Sequence, residues 1–257
     1  KINRNLTLNK KMKKILLGVA LSVAVLQGCK KDNTDDEEVV QLTVDEQKEY
    51  DDAAALDFLN KHYLDSKGVI TAFDDTTDTD NNEKKLADYN YVKLPSGVIY
   101  IVRPGAQPNP GKDVASNDVI SFFNITKTYS ATKTNDKISF SDEATFINNV
   151  ANTGVPSVDP AYYYVKSSVI KAYNTANSTT VERNFYEIEG LQEALKYFKS
   201  FDNLDIAEDY NMQGVIIVPS RAAFARDNSI YGTAYQNRSF VFNFQLYNTR
   251  TRLPKED

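Results

Sequence analysis

The chain of 257 residues has no tryptophan, one cysteine and one histidine. Cys29 has no second cysteine to bridge to, so no internal disulfide staples the fold. No CxxC, HExxH or cysteine–histidine cluster is present, and His62 stands alone. That excludes zinc sites of those kinds, and serine or cysteine triads that rely on histidine. Long apolar runs are equally scarce. The one that stands out, Ile15–Leu26, has 12 residues, where a spanning helix needs about 20.

What surrounds that short run gives it a meaning. Lys13 and Lys14 precede it and Leu26–Cys29, LQGC, follow it, the order of a secretory signal segment. LQGC resembles the bacterial lipobox, which implies lipid attachment at Cys29, with residues 1–28 read as upstream sequence and signal peptide. Each buried CH₂ of an acyl chain contributes ~0.8 kcal/mol, so a multiply acylated (palmitate-type) cysteine anchors nearly permanently. Residues 29–42 then form a tether, of which Lys30–Glu38, KKDNTDDEE, is too polar for a core. Such an acidic run resembles the export signal of surface lipoproteins in Bacteroidetes-type bacteria. The expectation is a membrane-anchored lipoprotein of the outer membrane, displayed at the surface. A plain spacer with no sorting role, and an inner-membrane location, stay open.

Without residues 1–28 the chain carries 24 Lys and Arg against 35 Asp and Glu. A surface of that sign argues against nucleic acid and against direct adhesion to anionic lipid. Sixteen Tyr and 13 Phe, with Thr, Val and Asn abundant in the second half, favour strands and turns over a helical bundle.

The first folded element is predicted at Val44–Leu64, with Thr43 as cap and Glu46 at the capping-box position. His62 falls in its last turns, where a favourable interaction with the helix dipole outweighs a catalytic role. Asp74–Asn82, DDTTDTDNN, reads as a solvated acidic loop; it lacks the glycine and glutamate of an EF-hand. Residues 43–88 are thus a helical extension plus loop. Strands are predicted at Tyr91–Leu94, Val98–Val102, Asp118–Tyr129, Lys137–Phe140, Gly214–Pro219 and Arg238–Leu246. A second amphipathic helix is expected over Gly190–Phe201, and Asn174–Thr180 as a hairpin tip or loop. Residues 141–184, with Tyr162, Tyr163 and Tyr164, carry the weakest pattern.

The order of segments resembles the FKBP-type peptidyl-prolyl isomerases, especially lipoprotein members of Bacteroidetes. The likeness runs through SGVIYIV (Ser96–Val102), Asn117–Thr126, YEIEGLQEAL (Tyr186–Leu195), VPSRAAFAR (Val218–Arg226) and SFVFNFQLYN (Ser239–Asn248). It implies an α+β fold over residues 89–250: a curved antiparallel sheet wrapped around a short helix, with an insertion around 141–185. The Val44–Leu64 helix is expected outside that sheet, on its edge or as a dimer arm.

The resemblance also implies a site. Leu191 stands where relatives keep the aromatic pocket floor, and Ile188 matches the wall residue whose backbone often bonds to ligand. Phe224 keeps a ring but not the tyrosine hydroxyl, and Phe242 matches the aromatic of the last strand. Asn124 aligns with a strand tyrosine, and Phe140 loosely with an aromatic whose neighbouring aspartate is lost; Asp142 is one residue away. The isomerase reaction needs no nucleophile, metal or cofactor, only an apolar pocket that lowers the ~20 kcal/mol barrier of the X–Pro bond. The client is a protein or a proline-containing peptide. The alternative is a noncatalytic binding or assembly lipoprotein of an envelope machine, contacting its partner through Tyr162–Tyr164.

Overall fold

Apolar residues alternate along both long strands so that each face of one sheet is buried, and each face has its own helix. The computed structural model describes residues 41–257 except 203, of which 42–257 form one compact unit. Cys29, the signal-like segment and the acidic tether to Glu38 lie outside the described residues.

The main sheet is antiparallel throughout. In spatial order it runs β3 (Val92–Lys93), β4 (Ile99–Val102), β10 (Gly214–Val218), β11 (Arg238–Arg250), β6 (Val119–Thr134) and β7 (Lys137–Asn148). The short β8 (Ser157–Val158) also pairs with β6, near its start. β6 and β11 form the spine, from Arg238 opposite Ser130 to Arg250 opposite Val119, with a bulge between Leu246 and Asn248. β6 turns into β7 through Asn135 and Asp136, both at positive φ (49° and 63°). Asn and Asp tolerate that conformation, and a two-residue turn of this hand matches strand twist.

Along β11, Phe240, Phe242, Phe244 and Leu246 share the first face with Ile216 and Val218 of β10 and Phe122 of β6. Helix α4 (Glu189–Leu195) covers it through Leu191, Ala194 and Leu195, joined by Tyr162 and Tyr163. A fully buried Phe contributes ~1.5–3 kcal/mol, so these rings dominate the core. Gly190 lets α4 approach: a Cβ there would lie 2.6 Å from Val218 Cγ1 and 2.8 Å from Val98 Cγ2.

The second face carries Ile99, Ile101, Val215, Ile217, Val241 and Tyr129. Helix α1 (Val44–Lys61) covers it with Ala55, Phe58 and Leu59. Its capping box is formed: Thr43 Oγ1 accepts from Glu46 N at 3.2 Å, and Glu46 Oε2 accepts from Thr43 N at 2.7 Å. The carboxylate of Asp51, almost wholly buried, accepts from the backbone N–H and hydroxyl of Ser220 at 2.9 and 2.6 Å. That clamp ties α1 to the loop after β10.

The mixed α and β class with antiparallel pairing agrees with the sequence expectation. Several details differ. Helix α1 lies outside the strands as expected and runs along the edge strand β7, where Asp57 pairs with Lys137 at 3.0 Å, but its apolar side also covers the second face. It ends at Lys61, because His62–Leu64 is strand β1, paired with β2 (Ile70–Ala72). β7 continues to Asn148, eight residues past the predicted end, because Asp142 at φ 51° absorbs the register break that Asp142-Glu143 creates in the alternation. After the one-turn helix α2 (Asn149–Asn152), Asn174–Asn177 is helical, the end of α3 (Ser167–Asn177), which stops at Ser178 in the left-handed conformation. α4 ends at Leu195, and Lys199–Ser200 form β9, paired with β5 (Lys112–Asp113).

Candidate functional site

Ile188, Leu191, Phe224 and Phe242 come together in the first-face core. Ile188, Leu191 and Phe242 have no accessible surface, and Phe224 is 3% exposed. Asn124 belongs to the same face, since its strand neighbour Thr126 sits opposite Phe242 and Asn124 itself opposite Phe244. Phe140 does not join them. It packs on the second face, stacked on Tyr129 at 5.2 Å and edge-on to Phe58 at 5.9 Å. Asp142 forms an ion pair with the buried Arg238 at 2.5 Å, and Arg238 donates to Thr128 Oγ1 at 3.0 Å, opposite Phe240 on the first face.

The space bounded by these side chains is occupied by the insertion. A turn at Pro160, whose carbonyl accepts from the N–H groups of Tyr163 and Tyr164, directs Tyr162 into the core. The carbonyl of Tyr162 accepts from the backbone N–H of Ile188 at 2.8 Å. Its ring lies 6.5 Å from Phe242 and meets Phe146 edge-on at 5.3 Å. Its hydroxyl donates to Asn124 Oδ1 at 3.4 Å, and burial pushes that hydroxyl well above the ordinary tyrosine range.

Beneath the ring lies a satisfied polar network. Asn149 Oδ1 accepts from Asn124 N at 2.7 Å, and Asn149 Nδ2 donates to the Phe122 carbonyl at 2.9 Å. Asn124 Nδ2 donates to Thr126 Oγ1 at 2.6 Å. Neighbouring polar groups hold the plug from the other side: Glu187 Oε1 accepts from Val165 N at 2.7 Å, and Gln192 Nε2 donates to the Tyr163 carbonyl. Tyr163 donates its own hydroxyl to the Ala115 carbonyl at 2.7 Å. Asn149 is a site residue the sequence did not announce, and Tyr162 and Tyr163, expected on a partner-contact surface, are instead buried in the core, which overturns that expectation for these two residues. A signal existed for one end of the contact: an asparagine in the apolar strand DVISFFNIT demands a buried partner.

Several open spaces flank the core, two of them beside residues singled out above. A groove of about 470 Å³ runs between residues 180–189 and the loop 221–228, with Phe185 and the edge of the buried Phe224 in its lining. A smaller cavity of about 120 Å³ lies on the second face beside His62. The His62 ring stacks on Phe58 at 3.7 Å with its Nδ1 2.8 Å from the Phe58 carbonyl, and burial depresses its pKa. Near it, Glu143 accepts from the Tyr129 hydroxyl at 2.9 Å and pairs with Lys127 at 2.6 Å. Among the described residues, no group of three or more His, Cys, Asp or Glu stands close enough to hold a metal. In the acidic loop, Asp74 accepts from Thr76 and Asp80 from the Asp74 backbone N–H, so the loop folds on itself.

No family model matches this chain, and no curated protein matches it. Among solved structures, it is similar to the crystal structure of FkpA from Escherichia coli, with 18% sequence identity and a TM-score of 0.33. The match covers 63% of this chain and 52% of that one, so this chain spans about half the length of FkpA.

Proposed function

We infer that this chain is a noncatalytic FKBP-like protein that binds polypeptide partners, with the family's proline pocket filled by its own Tyr162. What supports the family scaffold is the order of the sequence segments, the wholly antiparallel sheet and α4 packed against its first face. The observation that carries the loss of catalysis is the contact between Ile188 N–H and the Tyr162 carbonyl at 2.8 Å. The backbone donor that the resemblance assigns to ligand is satisfied within the chain. Phe242 and Leu191, which would line a proline site, have no accessible surface.

Rotating an X–Pro bond requires a pocket that accepts the ring and withdraws polarity from the carbonyl, against a barrier of ~20 kcal/mol. A core filled by Phe122, Phe146, Tyr162, Phe240 and Phe242 offers no such space. The reading places this scaffold in the cell envelope, held by acyl chains on Cys29 behind an acidic tether, where it engages extended protein or peptide segments.

The test is a proline-isomerisation assay on the full chain. The expected rate equals that of buffer, and a labelled unfolded polypeptide is still retained. A rate enhancement that disappears in Phe242→Ala, with circular dichroism unchanged, would restore the isomerase.

A further inference from the structure

The second sheet face keeps a cavity of about 120 Å³ between helix α1 and the β1–β2 hairpin. Its floor is the cross-strand pairs Lys127–Val241 and Ile125–Asn243, and Phe58, His62 and Tyr129 form an aromatic wall. An apolar cavity of ~150 Å³ holds benzene, so this one has the size of a single small ring. Ala72 and Glu143, both exposed, stand at its open side.

The walls are held apart by bonds already made. The buried Asn243 accepts from the Ile70 N–H at 3.2 Å and donates to the carbonyls of Gly68 and Gly214 at 2.9 and 3.1 Å. Those bonds fix the hairpin against the sheet, and a preformed space avoids part of the ordering cost of binding. The charges at the rim cancel. Glu143 pairs with Lys127 at 2.6 Å and accepts from the Tyr129 hydroxyl at 2.9 Å, while Asp57 pairs with Lys61 and Lys137 at 2.7 and 3.0 Å. A charged ligand would enter without a partner, which disfavours it. One polar atom of the lining is left over. His62 Nδ1 lies 2.8 Å from the Phe58 carbonyl, which only accepts, so Nδ1 carries the proton. In the neutral ring Nε2 is then an acceptor, and it has no hydrogen-bond partner among the described residues.

We propose that this cavity binds a small uncharged ring bearing one hydrogen-bond donor, a phenol-type group, with its body against Phe58, Ile125 and Val241 and its donor on His62 Nε2. The site does not depend on the polypeptide-binding reading. The apolar floor supplies the affinity, and the single unspent acceptor selects the donor-bearing ring over its plain analogue.

His62 is the single histidine of the chain, so its imidazole C–H signals in proton NMR report on this site alone. The experiment titrates the full chain with phenol, benzene and benzoate. Phenol should shift those signals saturably with a midpoint of about 1 mM, the level of a fragment of this size. Benzene, the same ring without the donor, should need about tenfold more, and benzoate should give no saturable shift. N-acetyltyrosinamide separates the two sources of such a ring. A shift like that of phenol assigns the site to a tyrosine side chain, and no shift assigns it to a free molecule. Ala72→Phe, at an exposed position opposite His62 in the hairpin, should close the open side and abolish the phenol shift while circular dichroism stays native. In His62→Phe, followed through the ligand signals, phenol should fall to the level of benzene. The proposal is overturned by the absence of a saturable phenol shift, by equal midpoints for phenol and benzene in the parent, or by an advantage of phenol that survives in His62→Phe.

Discussion

The backbone N–H of Ile188 donates to the carbonyl of Tyr162 at 2.8 Å, so the segment inserted after β7 closes the core that α4 begins. Removing the ring should therefore cost what a large core truncation costs. Tyr162→Ala is expected to lose about 3–5 kcal/mol, measured as a urea midpoint shift. Tyr162→Phe deletes only the long hydroxyl contact to Asn124, whose Oδ1 still meets Asn149 Nδ2 at 3.4 Å, and should lose about 1 kcal/mol. The truncation also leaves a cavity walled by Phe146 and Phe242, with Asn124 Oδ1 at one end. A small aromatic such as benzene should raise the melting temperature of Tyr162→Ala and leave the parent protein unaffected. Equal losses in the two variants would mean that the ring is not packed as described.

Gly190 sets the distance between α4 and the sheet. An added Cβ would meet Val218 Cγ1 at 2.6 Å, Val98 Cγ2 at 2.8 Å and the Ala222 carbonyl at 3.0 Å. Since β-branched neighbours and backbone cannot retreat freely, Gly190→Ala should destabilise by about 1–3 kcal/mol despite alanine's better helix propensity. A neutral or stabilising result in chemical denaturation would contradict that close approach.

The elements with strong local chemistry were legible in the sequence. Thr43 and Glu46 announced α1, and the alternation in Arg238–Leu246 announced the phenylalanine face of β11. The resemblance groups Ile188, Leu191, Phe224 and Phe242, and all four lie in the first-face core. Legibility failed where tertiary contact overrides pattern. β7 reads as broken at Asp142-Glu143, yet Asp142 takes a left-handed conformation and pairs with Arg238, 96 residues away. The polar run Asn174–Asn177 reads as loop, but side-chain bonds such as Asn177 Nδ2 to the Tyr173 carbonyl at 2.9 Å support a helix end. The plug is a long-range event: nothing near Tyr162 in the chain indicates that Ile188 and Asn124 receive it.

Cys29→Ser tests the membrane anchor. The expectation rests on LQGC after a 12-residue apolar run. The substituted protein should move from the membrane fraction to the soluble fraction, and the parent should carry acyl mass on its first mature residue. A parent without acyl mass, together with a substituted protein that stays in the membrane, would remove the lipoprotein assignment.

Asp51 and Asp52 are neighbours in α1 whose carboxyls are shifted in opposite directions. Burial raises Asp51, against hydrogen bonds from Ser220 and Gln47. Burial also works against ionisation of Asp52, but hydrogen bonds from Arg221 and Lys93 outweigh it and hold that carboxyl below its ordinary value. The signs of the two stability profiles follow from linkage. For Asp51 the folded chain binds its proton at higher pH than the unfolded chain does. Its contribution is fully present below the unfolded value and is lost as pH rises through the raised one. Asp51→Asn keeps acceptors for Ser220 and carries no buried charge, so it should equal or exceed the parent at neutral pH. That gap should close as pH falls to about 4. Asp51→Ala leaves the Ser220 N–H and hydroxyl buried without an acceptor and should lose about 1–3 kcal/mol. Asp52 contributes above its unfolded pKa and loses that contribution as pH falls through its folded one. Asp52→Asn should therefore be weaker than the parent at neutral pH and converge with it in acid. Urea midpoints measured across this range for both asparagine variants decide the matter, since parallel profiles would mean that neither carboxyl is held as the geometry implies.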